Sequence, residues 1–218
     1  MRQMRRLSLV VALVLLASTG AMAQTAQLSA GAYHGNLSFP DDGKSSGFGL
    51  YVSGEVAPAG LPIGLSASYA AFGADKVTYD SGDQNREHTV NVIDLLAGYR
   101  VFRTVTVGGG WASFSYDDKA DDTRDLTSQG IAVGAFASYP FDGRIDARAK
   151  VFYVPSAKVE SDSTAADEGT MLGFSVSGSY QLNQTFGIEA GYRSLQVKLE
   201  NDDTYSTGGL FVGATFSF

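Results

Sequence analysis

The chain has no cysteine, one tryptophan, two histidines and five prolines in 218 residues. Without cysteine there is no disulfide framework, and no thiolate to hold a metal or attack a substrate. Beyond residue 23 no apolar run approaches the roughly 20 residues that a membrane-spanning helix requires. Positive charge is scarce too. Against 23 Asp and Glu there are 16 Lys and Arg, a formal charge of −7, which makes a poor partner for nucleic acid. No nucleophile elbow, H-E-x-x-H helix or Walker loop is present. Glycine, by contrast, is abundant, with 26 residues in a composition that is 44% hydrophobic. That is too apolar for a disordered chain, and the length suits one all-β domain.

The N-terminus reads as a leader. Arg2, Arg5 and Arg6 precede a nearly unbroken apolar run over 7–16, and Ala21-Met22-Ala23 stands before Gln24. A basic start, a short apolar core and an A-x-A site predict a Sec signal peptide over 1–23, leaving 24–218 as one domain. There is no cysteine at the cut to carry a lipid. Cleavage removes three basic residues and no acid, leaving 13 Lys and Arg against 23 Asp and Glu, a formal −10. If the mature chain crosses a membrane, it does so with strands.

From residue 24 one unit repeats: about ten residues alternating in character, then a turn. Ten such runs are predicted, near 26–35, 47–57, 62–72, 88–100, 104–116, 127–139, 144–154, 170–181, 185–199 and 208–218, with eight as the alternative count. In the last run Leu210, Val212, Ala214, Phe216 and Phe218 share one parity. Gly209, Gly213, Thr215 and Ser217 share the other, with Phe211 as a bulky exception. In the ninth run the parity slips near Ser194, which predicts a β-bulge. Short connections alternate with polar stretches over 36–46, 73–87, 117–126, 155–169 and 200–205. A transmembrane antiparallel up-and-down β-barrel sorts its connections this way, with short periplasmic turns and longer extracellular loops. Both termini then lie in the periplasm, and the barrel is expected to be monomeric. Tyr99, Phe102, Tyr139, Phe141, Tyr180, Phe186 and Phe218 lie beside short turns and would form one aromatic girdle. Phe48, Phe72, Trp111, Phe114, Tyr153 and Tyr192 would form the other.

Seven charged residues fall on the inward parity: Glu55, Asp94, Asp146, Arg148, Lys150, Glu189 and Arg193. Placing Arg or Lys on the lipid face would cost about 2–4 kcal/mol near the midplane. These residues form either a salt-bridge network that fills the lumen or a narrow pore lined by both signs. Ten strands lined largely by Gly and Ser stand between the filled eight-stranded barrel and the open sixteen-stranded one. Only five of the 23 acids, Glu55, Asp94, Asp142, Asp146 and Glu189, lie outside the polar connections. The rest read as a solvated outer surface, with cation-bridged contact to lipopolysaccharide phosphates as the sharper alternative. Residues 117–122 lack the spacing and glycine of a calcium loop, so no metal site is assigned. His34 and His88 fall near strand ends. Glu87 faces the opposite side of its strand from His88 and cannot orient it, so no catalytic residue is assigned either.

The ending looks like the terminal β-signal that the barrel-assembly machinery recognises in bacterial outer-membrane barrels. Leu210, Val212, Phe216 and Phe218 would carry it. More broadly, 24–218 resembles a small Gram-negative-type outer-membrane β-barrel. Its final third is similar to the YfaZ family in Val151-Phe152-Tyr153-Val154-Pro155, in Gly191-Tyr192-Arg193 within 187–193, in the acidic 200–203 and in the 208–218 ending. The resemblance implies no enzymatic activity and no cofactor. It implies outer-membrane lipid and lipopolysaccharide as surroundings, with periplasmic chaperones and the assembly machinery as partners during biogenesis. The expected role is a non-enzymatic envelope barrel, either a narrow passive porin-like channel or a structural protein. The alternative is a surface adhesin or receptor that binds a ligand or partner through acidic extracellular loops.

Overall fold

The computed structural model describes residues 23–41, 43–58, 60–79, 82–119, 125–161 and 168–218. The body of the leader, 1–22, lies outside the described residues, as do several loop acids such as Asp121 and Asp122. Ten strands are present: β1 (Ala23–Ser38), β2 (Lys44–Pro58), β3 (Ile63–Tyr79), β4 (Gly82–Phe102), β5 (Val105–Asp118), β6 (Leu126–Pro140), β7 (Ile145–Ser161), β8 (Glu168–Gln181), β9 (Phe186–Leu199) and β10 (Thr204–Ser217). Each pairs antiparallel with the next, and β1 closes on β10, so the sheet is a barrel without a free edge. Closure matters in lipid, where an open edge would leave backbone groups with no partner. Backbone bonds between Ala26 and Phe218 tie the seam at its short-turn end.

The strands follow two opposite rules along their length. Toward the short turns, outward positions are apolar and exposed: Leu172, Phe174, Val176 and Tyr180 on β8, and Leu210, Val212 and Phe216 on β10. The stretch from 172 to 180 is close to the 9–11 residues with which a tilted strand crosses the hydrocarbon. Beyond this belt the faces exchange character. On β9, Leu195, Val197 and Leu199 point inward and are buried, while Gln196 and Lys198 face out and are exposed. Above the belt the outside meets water rather than lipid, so the apolar face moves to the interior.

This exchange corrects three sequence expectations. The predicted bulge near Ser194 is absent: β9 pairs with β8 and β10 in unbroken register. The apparent slip was a change of solvent, not of backbone. Phe72 and Phe114 belong to no girdle. They point inward and are buried, because both fall on the even, lumenal parity of β3 and β5. The connections predicted at 73–87 and 155–169 are also mostly strand. β4 alone has 21 residues, and β3 and β4 pair from Ile63–Tyr99 up to Tyr79–Gly82. Polar outward residues there, such as Lys76, Thr78 and Asn85, had disguised a ladder as a loop.

Candidate functional site

The lumenal charges of β4, β7 and β9 meet inside the belt. Asp94 forms ion pairs with Lys150 and, at 3.1 Å, with Arg193. Ser68 donates to Asp94 at 2.5 Å, and Lys150 donates to Ser68 at 3.1 Å. Lys150 and Arg193 lie in one row, since both pair in register with Ser175. Nearer the short turns Arg148 and Glu189 pair at 3.2 Å. Glu55 faces the same interior, within the field of Arg148 and Lys150. Asp146 stands half-buried near the short-turn mouth, one inward step from Arg148 and outside both paired groups. The structure thus brings five of the seven predicted lumen residues into two contacting groups. Arg148 Nε, Arg193 Nη1 and Glu189 Oε2 have no hydrogen-bond partner in the protein, which leaves this layer capacity to bind water.

Aromatic rings share the level of the ions: Tyr51 lies in the field of Glu189 and Arg193, and Phe211 pairs in register with Gly191, between those two residues. Tyr51 and Phe211 stack with centroids 4.0 Å apart, and Tyr33 meets Phe72 edge-on. Glycines on the inward parity give these rings their space: a Cβ at Gly173 would stand 2.3 Å from the Phe152 ring, and one at Gly191 would stand 2.4 Å from Phe211. Higher still, Val90, Phe114, Val154, Met171, Leu195, Val197 and Leu199 belong to one buried cluster. Gly and Ser on the inward face had suggested room for a pore. Aromatic rings and aliphatic chains occupy that room.

At the wide mouth, above the apolar layer, is a cup of about 470 Å³ lined by Phe39, Pro40, Asp41, Tyr79, Arg86, Tyr116, Asp203 and Tyr205. Phe39 is its hub, edge-on to Tyr116 at 5.3 Å and to Tyr205 at 6.3 Å. In the floor Arg86 is paired with the buried Asp118. His88 lies beneath, fully buried, with Ser45 Oγ 2.7 Å from its Nε2. Burial pushes the His88 imidazole below its ordinary pKa and the Tyr116 hydroxyl above its own. His34, in contrast, faces outward against Phe48. Among the described residues no group of three or more His, Asp or Glu is placed to hold a metal ion. Sequence reasoning missed this cluster because it ended the strands too early. Arg86 and His88 share the parity of Val90, and Asp118 shares that of Phe114 and Tyr116. Continuing the alternation would have placed all of them inward.

Leu210, Val212, Phe216 and Phe218, the residues expected to carry a terminal signal, all lie on the outer surface and are exposed. No family model matches the sequence, so the likeness of the final third to the YfaZ family has no family match behind it. No curated protein matches either. Among solved structures, the outer membrane protease OmpT from Escherichia coli is similar at 11% identity and TM-score 0.49, over 92% of this chain and 97% of that one. Neisserial surface protein A is similar at 14% identity and TM-score 0.44, over 88% and 97%. Ail, the attachment invasion locus protein of Yersinia pestis, is similar at 12% identity and TM-score 0.39, over 89% and 98%.

Proposed function

We propose that the protein is a closed outer-membrane barrel that does not conduct, and that it works as a structural and surface-binding element through its extracellular cup. One observation carries this reading: the lumen is packed in two successive layers, the first of ions and aromatic rings and the second apolar, with the Asp94 ion group spanning β4, β7 and β9. A dehydrated aliphatic layer is a high barrier to ions, because an ion that enters loses its hydration without gaining partners. The leader, cut after Ala23, would direct the chain to the periplasm and leave the β1–β2 ladder intact from Thr25. The apolar belt supports an outer-membrane setting for 24–218, with the cup on the outside. In planar bilayers, purified protein that migrates as a heat-modifiable species should give no single-channel steps. Regular steps from that species would replace this reading with the channel.

A further inference from the structure

Ser45 on β2 and His88 on β4 meet across the strand between them. Ala74 of β3 is the register partner of His88, and its small side chain lets the bond pass. The ladder is irregular at this point. Register shifts between Lys44 and Phe48 on one side of β3, and between Ala74 and Lys76 on the other. Such bulges re-aim side chains and concentrate beside functional sites.

The proton positions follow from the partners. His88 Nδ1 lies 3.0 Å from the backbone carbonyl oxygen of Arg86. A carbonyl only accepts, so Nδ1 carries the ring proton and donates. On a neutral ring Nε2 is then the acceptor, and the Ser45 hydroxyl donates to it. A hydroxyl donating to a fixed, neutral imidazole nitrogen is the arrangement that activates a serine. The pair is also tied to the cup. Phe39 and Tyr116 line the cup and face the His88 ring at 6.0 and 5.4 Å, and Arg86 lines it while its carbonyl orients that ring.

We propose that Ser45 is a nucleophile with His88 as its base, and that the cup admits a small uncharged carboxylic ester to it. Asp41 and Asp203 on the cup disfavour anions, and the rings of Phe39, Tyr79 and Tyr205 suit an apolar acyl group. In the step, Ser45 Oγ bonds to the carbonyl carbon and its proton passes to Nε2. The ester C–O bond then breaks, and the leaving alcohol takes that proton. Water, deprotonated by the same nitrogen, bonds to the acyl carbon; the bond to Ser45 Oγ breaks, Oγ takes the proton back from Nε2, and the acid leaves. Arg86, held by Asp118, supplies positive charge at the cup for the developing oxyanion. Phe39 stands edge-on to the His88 ring from the cup side, and Ser45 itself is buried.

The inference goes beyond the closed-barrel reading and stands or falls separately from it. The probe is a fluorophosphonate on the full folded chain in detergent. The Ser45 Oγ–P bond forms, the P–F bond breaks, fluoride leaves and the proton goes to His88. Peptide mass spectrometry should find the label on Ser45, and Ser45→Ala should abolish it. His88→Gln should slow labelling by about 100-fold, the scale of a lost general base, and Phe39→Ala should speed it. If the His88 variant does not fold, the unaltered protein decides by its pH profile, with labelling falling as His88 protonates. Absence of label at Ser45 in both the unaltered protein and Phe39→Ala, or labelling indifferent to pH, would make the contact a structural hydrogen bond and overturn the proposal.

Discussion

Asp94 on β4 and Lys150 on β7 form a buried ion pair across the lumen, tying together strands that are not neighbours in the sheet. Ser68 and Arg193 complete the coordination of the same carboxylate. Together with Arg148–Glu189 and the lumenal ring contacts, this pair braces the barrel across its width, beyond what the ladder bonds supply.

Removing one member of a buried pair leaves the others uncompensated. Asp94→Asn should therefore lower unfolding stability in micelles by about 3–5 kcal/mol, because Lys150 and Arg193 lose their counter-charge. Ser68→Ala removes one hydrogen bond to the same group and should cost about 1–3 kcal/mol. Urea titration of both variants checks this. An Asp94→Asn protein as stable as the parent would show that the pair is not a brace.

The exchange of faces on β9 makes a second prediction. Leu195 is buried above the belt, and Leu195→Ala should cost about 2–5 kcal/mol. Its neighbour Gln196 faces water, and Gln196→Ala should stay within about 0.5 kcal/mol. Equal costs at the two positions would place the lumen-water boundary elsewhere.

His88 gives a pH dependence. Burial lowers its pKa in the folded protein, while the unfolded value stays near 6.5. The folded state then binds this proton less readily than the unfolded state. The stabilisation is fully present above about pH 6.5 and is lost as pH falls through that value toward the folded pKa. The denaturant midpoint should drop between about pH 7 and 5, and His88→Gln should flatten the drop. A difference between the two proteins that grows toward alkaline pH would reverse the assignment.

At the seam, Phe218 exchanges backbone hydrogen bonds with Ala26 and exposes its ring outward. Deleting Phe218 removes both bonds and the terminal aromatic of the proposed assembly signal. The heat-modifiable fraction recovered from outer membranes should fall several-fold relative to the full chain. An unchanged fraction would mean that the terminal residue is dispensable for insertion.

The period of two was enough to predict ten strands, their inward faces within the belt and the seven lumenal charges, because a strand sends alternate side chains to opposite sides whatever surrounds it. Glu55, Asp94, Arg148, Lys150, Glu189 and Arg193 could thus be assigned to the interior from position alone. Their pairing could not. Asp94 meets Lys150 from three strands away, and that distance depends on barrel closure and stagger, which no local pattern encodes.

The sequence by itself determined an antiparallel barrel with an apolar exterior, since alternation and the alternating turns depend only on local chemistry. The tertiary structure decided what the interior does. Inward glycines read as empty space until Phe152 and Phe211 were seen to fill it. Leu195, Val197 and Leu199 read as a register error until the barrel placed their face toward its own core. Ser45, in a polar connection, and His88, at a strand end, are separated by 43 positions and had no visible relation until three strands brought them together. In each case the deciding quantity is what stands on the far side of the lumen, and that exists only once the sheet has closed.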